Sequence, residues 1–163
     1  MLKKIYTFMN RVENVILIIT FVIMILSTFA QVINRNFIGL SISWFEELAR
    51  YSMVYMTLFA TELGLRDGSQ ISITLLTDIT KGNIKKIILI ITKIFIIIFS
   101  GVIFISSFDI QKVQLLSNQI SPGLKVPMFI PYFALTLNFG IILITQFVLL
   151  IGTLIYGSNK KEN

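Results

Sequence analysis

Histidine and cysteine are both missing from these 163 residues. Without a thiol there is no disulfide frame and no cysteine nucleophile. Without an imidazole there is no Ser-His-Asp relay, and zinc and haem lose their usual ligands. Charge is scarce as well. Asp, Glu, Lys and Arg make up 13% of the chain, against roughly a quarter in a soluble domain. The three prolines all fall between positions 121 and 132. In place of these groups, 55% of the residues are hydrophobic, and the mean hydropathy is +0.86. That excludes disorder, whose signature is low hydrophobicity with high charge. Fourteen basic residues against eight acidic ones leave a net +6. In so apolar a chain that excess orients a protein in a membrane; it does not point to nucleic acid.

A bilayer core about 30 Å thick is crossed by about 20 apolar helical residues at 1.5 Å each. Residues 15–33 carry no charge, and neither do residues 132–155, with Pro131 suited to the first turn of that last helix. Residues 87–108 are broken only by Lys93. Residues 44–65 are long enough, but they carry Glu46, Glu47, Arg50 and Glu62. The expectation is an all-α integral membrane protein, a single membrane domain over 1–163, with four transmembrane helices at about 15–33, 44–65, 87–108 and 131–155. The basic residues assign the sides. Lys3, Lys4, Arg11, Arg66, Lys81, Lys85, Lys86, Lys160 and Lys161 fall in the N-terminal segment, the middle loop and the C-terminal segment. Only Arg35, Lys112 and Lys125 fall in the other two loops. The N- and C-termini and the middle loop are therefore expected to be cytoplasmic. Lys3, Lys4 and Arg11 followed by 15–26 also have the layout of a signal peptide, with Thr28-Phe29-Ala30 as a cleavage site. The apolar run continues past that site to Ile33, which favours a retained span; the mass of the mature protein decides.

The loops hold the polar constellations. Ser43-Trp44-Phe45-Glu46 has the form of a capping box and starts a helix at Ser43. Trp44 suits the headgroup level. Glu46 and Glu47 lie four and three residues before Arg50, on one helical face. A charge at the helix centre costs about 3 kcal/mol, so Arg50 should be paired. Either the pair is self-contained at the interface, or the surplus carboxylate docks another membrane protein. In the middle loop, residues 70–79 are too short to cross and suit a short amphipathic segment on the cytoplasmic leaflet. Lys93 can snorkel to the interface, or meet Glu62 from the end of the second span. In the last loop Pro122-Gly123 favours a tight turn, and Pro127 follows it. Asn138 and Thr145, seven apart, share a face that can hydrogen-bond a neighbouring helix.

Catalysis finds little here. No nucleophile–base pair is built by spacing, and no glycine loop cradles phosphate. No span is interrupted near its middle by Gly or Pro, as transporter sites usually require, and residues 15–33 contain no ionisable group. The chain reads as a membrane subunit without its own pathway: not an enzyme, with no cofactor and no metal.

Three segments carry a family resemblance. The stretch from Ser43 to Tyr51, SWFEELARY, resembles the W-x-E-E-hydrophobic-x-R-Y stretch of the small permease subunit (DctQ-like) of TRAP transporters, the tripartite ATP-independent periplasmic transporters. Residues 64–71, GLRDGSQI, resemble that family's R-x-G-x-H-I segment, with Gln70 where the family commonly has His. Ser121-Pro122-Gly123-Leu124-Lys125-Val126-Pro127 with Tyr132 resembles its proline-containing approach to the last helix. The resemblance implies secondary, ion-coupled uptake of organic acids across a bacterial inner membrane. It implies as partners a large TRAP permease membrane subunit, which carries the substrate and ion sites, and a periplasmic substrate-binding protein. This chain would brace the large subunit and widen the docking surface. Trp44, Glu46, Glu47, Arg50, Glu62 and Lys93 are then subunit-contact or structural residues, and Pro122, Gly123 and Pro127 shape the outer loop. Two other classes stay open: a four-helix membrane enzyme of the glutathione-dependent type, and a self-assembling small exporter or channel.

Overall fold

A computed structural model of the chain describes residues 2–40, 42–67, 79–80 and 83–156. These form four long helices: α1 Leu2–Ile33, α2 Trp44–Asp67, α3 Asn83–Ser117 and α4 Phe129–Tyr156. No glycine or proline interrupts α1, and it runs on through a π-helical turn, Asn34–Ile38. Gly39 ends it in the left-handed region at φ +71°, and its N–H donates to the Asn34 carbonyl at 2.7 Å. Asn34 is buried and donates through Nδ2 to the Leu40 carbonyl at 2.8 Å. α2 starts directly after Ser43, with Glu46 and Glu47 in its first turn and Arg66 in its last. Both placements oppose the helix dipole favourably. Pro131 lies in the first turn of α4, where its missing N–H leaves no bond unmade.

Three helices are long and apolar enough to cross a membrane: Asn10–Ile38, Ile84–Ser117 and Phe129–Leu154. α2 is not among them, because the charges at both its ends dilute its apolar middle. The amphipathic segment expected at 70–79 lies outside the described residues up to 78; Ile79 is exposed.

The helices form an open row. α1 packs on α2, α2 on α4, and α4 on α3. Among the described residues α1 meets neither α3 nor α4, and α2 does not meet α3. Residues inside the row are mostly polar. Among the described residues Phe59, Ala134 and Ile142 are the buried hydrophobic ones, whereas Glu13, Ser52, Glu62, Arg66, Ser100, Ser107, Gln111, Asn138 and Gln146 are buried too. The outside is apolar: Phe29 on α1 and Phe95, Phe99 and Ile105 on α3 are each more than 60% exposed. This inversion of the soluble pattern follows from the solvent. Lipid is as apolar as Leu, so helices are joined by close packing and hydrogen bonds rather than by hiding oil.

Between α3 and α4, Ser107 and Thr136 share a hydrogen bond of 2.8 Å, and Gln111 donates to Thr136. Gly140 admits the Phe104 ring; a Cβ there would stand 3.0 Å from it. Between α4 and α2, Asn138 donates through Nδ2 to the Leu58 carbonyl at 2.8 Å and is fully buried. Thr145, on the same face, donates to Ile142 of its own helix. Asn138→Ala should lower the unfolding free energy in detergent by about 0.6–2 kcal/mol, measured by SDS titration. No change would mean that Asn138 does not join the two helices.

Candidate functional site

Among the described residues, three of the four ion pairs lie at the two ends of α2. At the Trp44 end the helix start is stitched to the loop that leads into α4. Arg50 donates through Nη2 to Glu46 Oε1 at 2.8 Å, with both side chains about two-thirds exposed. Glu47 does not join that pair. It turns to the loop, where its Oε2 accepts the Leu124 N–H at 2.8 Å. The sequence pattern offered Arg50 two carboxylates; the structure gives it one and uses the other as a clamp.

The loop is shaped to be clamped. Ile120 and Pro127 face each other in an isolated antiparallel bridge, and the Ser121 N–H donates to the Val126 carbonyl at 2.9 Å. Pro122 and Gly123 form the turn between them. A Cβ on Gly123 would lie 3.0 Å from Glu47 Oε2 and 3.1 Å from the Trp44 Cα. Two tyrosines of α2 extend the seam. The Tyr51 hydroxyl donates to the Met128 sulfur at 3.4 Å and the Tyr55 hydroxyl to the Ile130 carbonyl at 2.7 Å. The Trp44 and Phe45 rings lie with centroids 3.9 Å apart, tilted by 33°, and Trp44 stays partly exposed. Trp44, Glu46, Glu47, Arg50, Pro122, Gly123 and Pro127 are thus drawn into one rim.

At the other end of α2, Glu62 and Arg66 meet Glu13 of α1. Arg66 donates through Nη2 to Glu13, and the same nitrogen lies 3.1 Å from Glu62 Oε2. Asn10 Oδ1 is 3.4 Å from it. All three charged side chains are almost entirely buried. Thr145 of α4 lies beside Glu62. Among the described residues the cluster holds two carboxylates and one guanidinium.

This cluster departs from the sequence reading in three ways. Arg66 was counted with the middle loop; it is in the last turn of α2, inside the row. Glu62 pairs with Arg66 rather than Lys93. Lys93 sits half-buried on α3, with no ion pair among the described residues. The first membrane helix is not free of ionisable groups either, because α1 reaches back past residue 15 and brings in Glu13. Glu62 and Arg66 are four apart, a spacing visible in the sequence. Glu13 stands 53 residues from Arg66, and no local signal marks it.

The rim carboxylates are held by a guanidinium and a backbone N–H, and the buried ones surround an arginine. Among the described residues no group of three or more His, Cys, Asp or Glu can hold a metal ion.

Comparison with known proteins gives a consistent picture. Residues 24–155 match the family described as tripartite ATP-independent periplasmic transporters, DctQ component. The chain is 29% identical over 98 residues to the isethionate TRAP transporter permease protein DctMQ of Oleidesulfovibrio alaskensis, which covers 60% of this chain and 15% of that one. It is 26% identical over 135 residues to a putative TRAP transporter small permease protein of Haemophilus influenzae, covering 83% of this chain and 81% of that one. The chain thus spans a small part of the first relative and most of the second.

Proposed function

The chain belongs to the DctQ family of tripartite ATP-independent periplasmic transporters, and from that premise we propose that it is the small, non-translocating subunit of an ion-coupled, ATP-independent importer of organic acids. It is a multi-pass membrane protein and a component of a transporter. Its work in this proposal is mechanical. It braces the large permease subunit in the bacterial inner membrane and widens the surface on which a periplasmic binding protein docks.

The open row of helices carries this reading. A translocating subunit needs a site near mid-membrane, usually made by interrupted helices. Here Ser107, Gln111, Thr136, Asn138, Glu13 and Arg66, polar groups inside the row, join neighbouring helices. The row also has two long apolar edges, α1 and α3, with no further helix among the described residues against them. Such a plank has a broad side for a larger membrane partner and no enclosed path. Similarity to part of a longer TRAP permease chain supports assembly with such a partner.

In this arrangement α2 is the fourth span. Its charges stand at its two ends, where Glu62 and Arg66 are buried against α1 rather than exposed to lipid, so the uncharged stretch Tyr51–Thr61 does not have to cross the hydrocarbon core alone. The Trp44 rim faces the periplasm, and both chain ends face the cytoplasm, as the basic residues require.

Uptake in proteoliposomes tests the role. With the large subunit and the binding protein present, omission of this chain should reduce organic-acid uptake at least tenfold, and this chain alone should carry no flux. Full uptake without it would refute the bracing role.

A further inference from the structure

Lys93 stands alone inside a membrane helix. It lies six residues past Ile87, where the apolar run 87–108 of α3 begins, so it is about 9 Å into that run. Its side chain is half-buried, and it makes no ion pair or hydrogen bond among the described residues. We infer that Lys93 is a contact point for the large permease subunit: its ammonium meets a carboxylate on a transmembrane helix of that partner, laid over the cytoplasmic half of the α3–α4 seam.

The spacing turns Lys93 toward α4. Lys93, Ile97, Ser100, Phe104, Ser107 and Gln111 recur at intervals of four and three, so they share one face of α3. Ser107 and Gln111 reach Thr136 from that face, and Phe104 lies against Gly140. The two helices run antiparallel, so eleven residues from the Phe104–Gly140 contact Lys93 comes level with Ile151. α4 offers no counter-charge there, because it carries no acidic residue. The acidic residue of α3, Asp109, is paired with Lys112 and stands sixteen positions away. α2 does not meet α3 among the described residues, and its Glu62 is held by Arg66. A charge inside a bilayer is costly unless it is paired. The counter-charge therefore comes from outside the described helices. Lipid phosphate and protein carboxylate both have the chemistry, and depth decides between them. The lysine stem, five single bonds of about 1.5 Å, reaches roughly 6 Å. That is shorter than the about 9 Å of apolar helix between Lys93 and the start of the run, and phosphates lie beyond it. A helix packed on the seam brings its carboxylate to the level of Lys93 itself. Val148, Ile151 and Leu154, each at least 41% exposed on this half of α4, are the apolar surface it covers.

The contact rests on the small-subunit role proposed above, and one co-purification separates the two. The tagged full chain is co-expressed with the large subunit and purified in mild detergent. The unaltered chain should bring the large subunit with it; if it does not, the small-subunit role fails and the contact fails with it. Once that recovery is seen, Lys93→Met and Lys93→Glu should each cut it about tenfold, since the partner's carboxylate is left unpaired. Lys93→Arg should keep it. Neutralising one acidic position in the spans of the large subunit, carboxylate to amide, should restore assembly with Lys93→Met. Folding is read separately by SDS titration of the isolated chain. The midpoint of Lys93→Met should not fall, because an unpaired charge has left an apolar helix. A lower midpoint would show that Lys93 serves its own bundle and would overturn the proposal. Full recovery of the large subunit by Lys93→Glu would also overturn it, as would failure of every single neutralisation to restore assembly. A phospholipid lost from the Lys93→Met complex in native mass spectrometry, with assembly intact, would assign Lys93 to lipid instead.

Discussion

Arg66→Met should lower the unfolding free energy of the chain by about 3–5 kcal/mol, the cost of breaking a buried ion pair by removing one partner. The size follows from what remains. Glu13 and Glu62 would face each other inside the row with their shared cation gone. By contrast, Arg50→Met at the exposed rim should change stability by no more than about 1 kcal/mol, since exposed pairs contribute little. SDS titration of the two variants separates these values easily. Replacing all three buried groups at once (Glu13→Leu, Glu62→Leu, Arg66→Met) should recover most of the loss, because well-packed apolar residues replace a buried ion cluster at little cost. Glu13→Gln should stay within about 1 kcal/mol of the unaltered chain, because it keeps an acceptor for Arg66 while Glu62 keeps the charge pair. A loss below 1 kcal/mol for Arg66→Met would show that the cluster does not tie α1 to α2.

The cluster also shows where sequence reasoning stops. The spans at residues 15–33, 87–108 and 131–155 were legible because a bilayer demands an apolar run of fixed length, and such runs exist. The Glu46–Arg50 pair of the rim was legible because its members lie four residues apart on a helix. What joins α1 to α2 was not legible. Glu13 sits two residues before the apolar run and looks like an ordinary residue outside the membrane; only a helix continuing back through it sets it against Arg66. The use of Glu47 was hidden for the same reason. Its partner is the backbone N–H of Leu124, and a backbone donor leaves no mark in the residue type. Asn138 lies between these cases. Its helical face was readable, but its acceptor, the Leu58 carbonyl, was not. In a membrane chain the apolar pattern gives the number and place of helices, while the few polar side chains decide which helices touch.

Gly123→Ala should destabilise the chain by about 1–2 kcal/mol, although the same substitution ordinarily stabilises a loop. Two effects oppose each other. Alanine restricts the unfolded chain and contributes about 0.4–1 kcal/mol in favour of folding. Gly123 is not in the left-handed region, so no backbone strain cancels that gain. Space does. The new Cβ would stand 3.1 Å from the Trp44 Cα and 3.0 Å from Glu47 Oε2. The carboxylate can swing away, but the start of α2 cannot move without parting from the loop. Overpacking of this kind costs typically 1–3 kcal/mol and outweighs the entropy gain. The clamp from Glu47 to Leu124 loosens with it. Trp44 is the sole tryptophan, so its emission reports the displacement directly. Gly152→Ala is the matched control. It lies inside α4 with nothing within 4 Å of a new Cβ. There the helix gains about 0.5–1 kcal/mol and Trp44 emission stays unchanged. Opposite signs for the two glycines, with a spectral shift only for Gly123, are the expected result. A stabilised Gly123→Ala with unshifted emission would show that the loop does not rest on the start of α2, and the rim would lose its clamp.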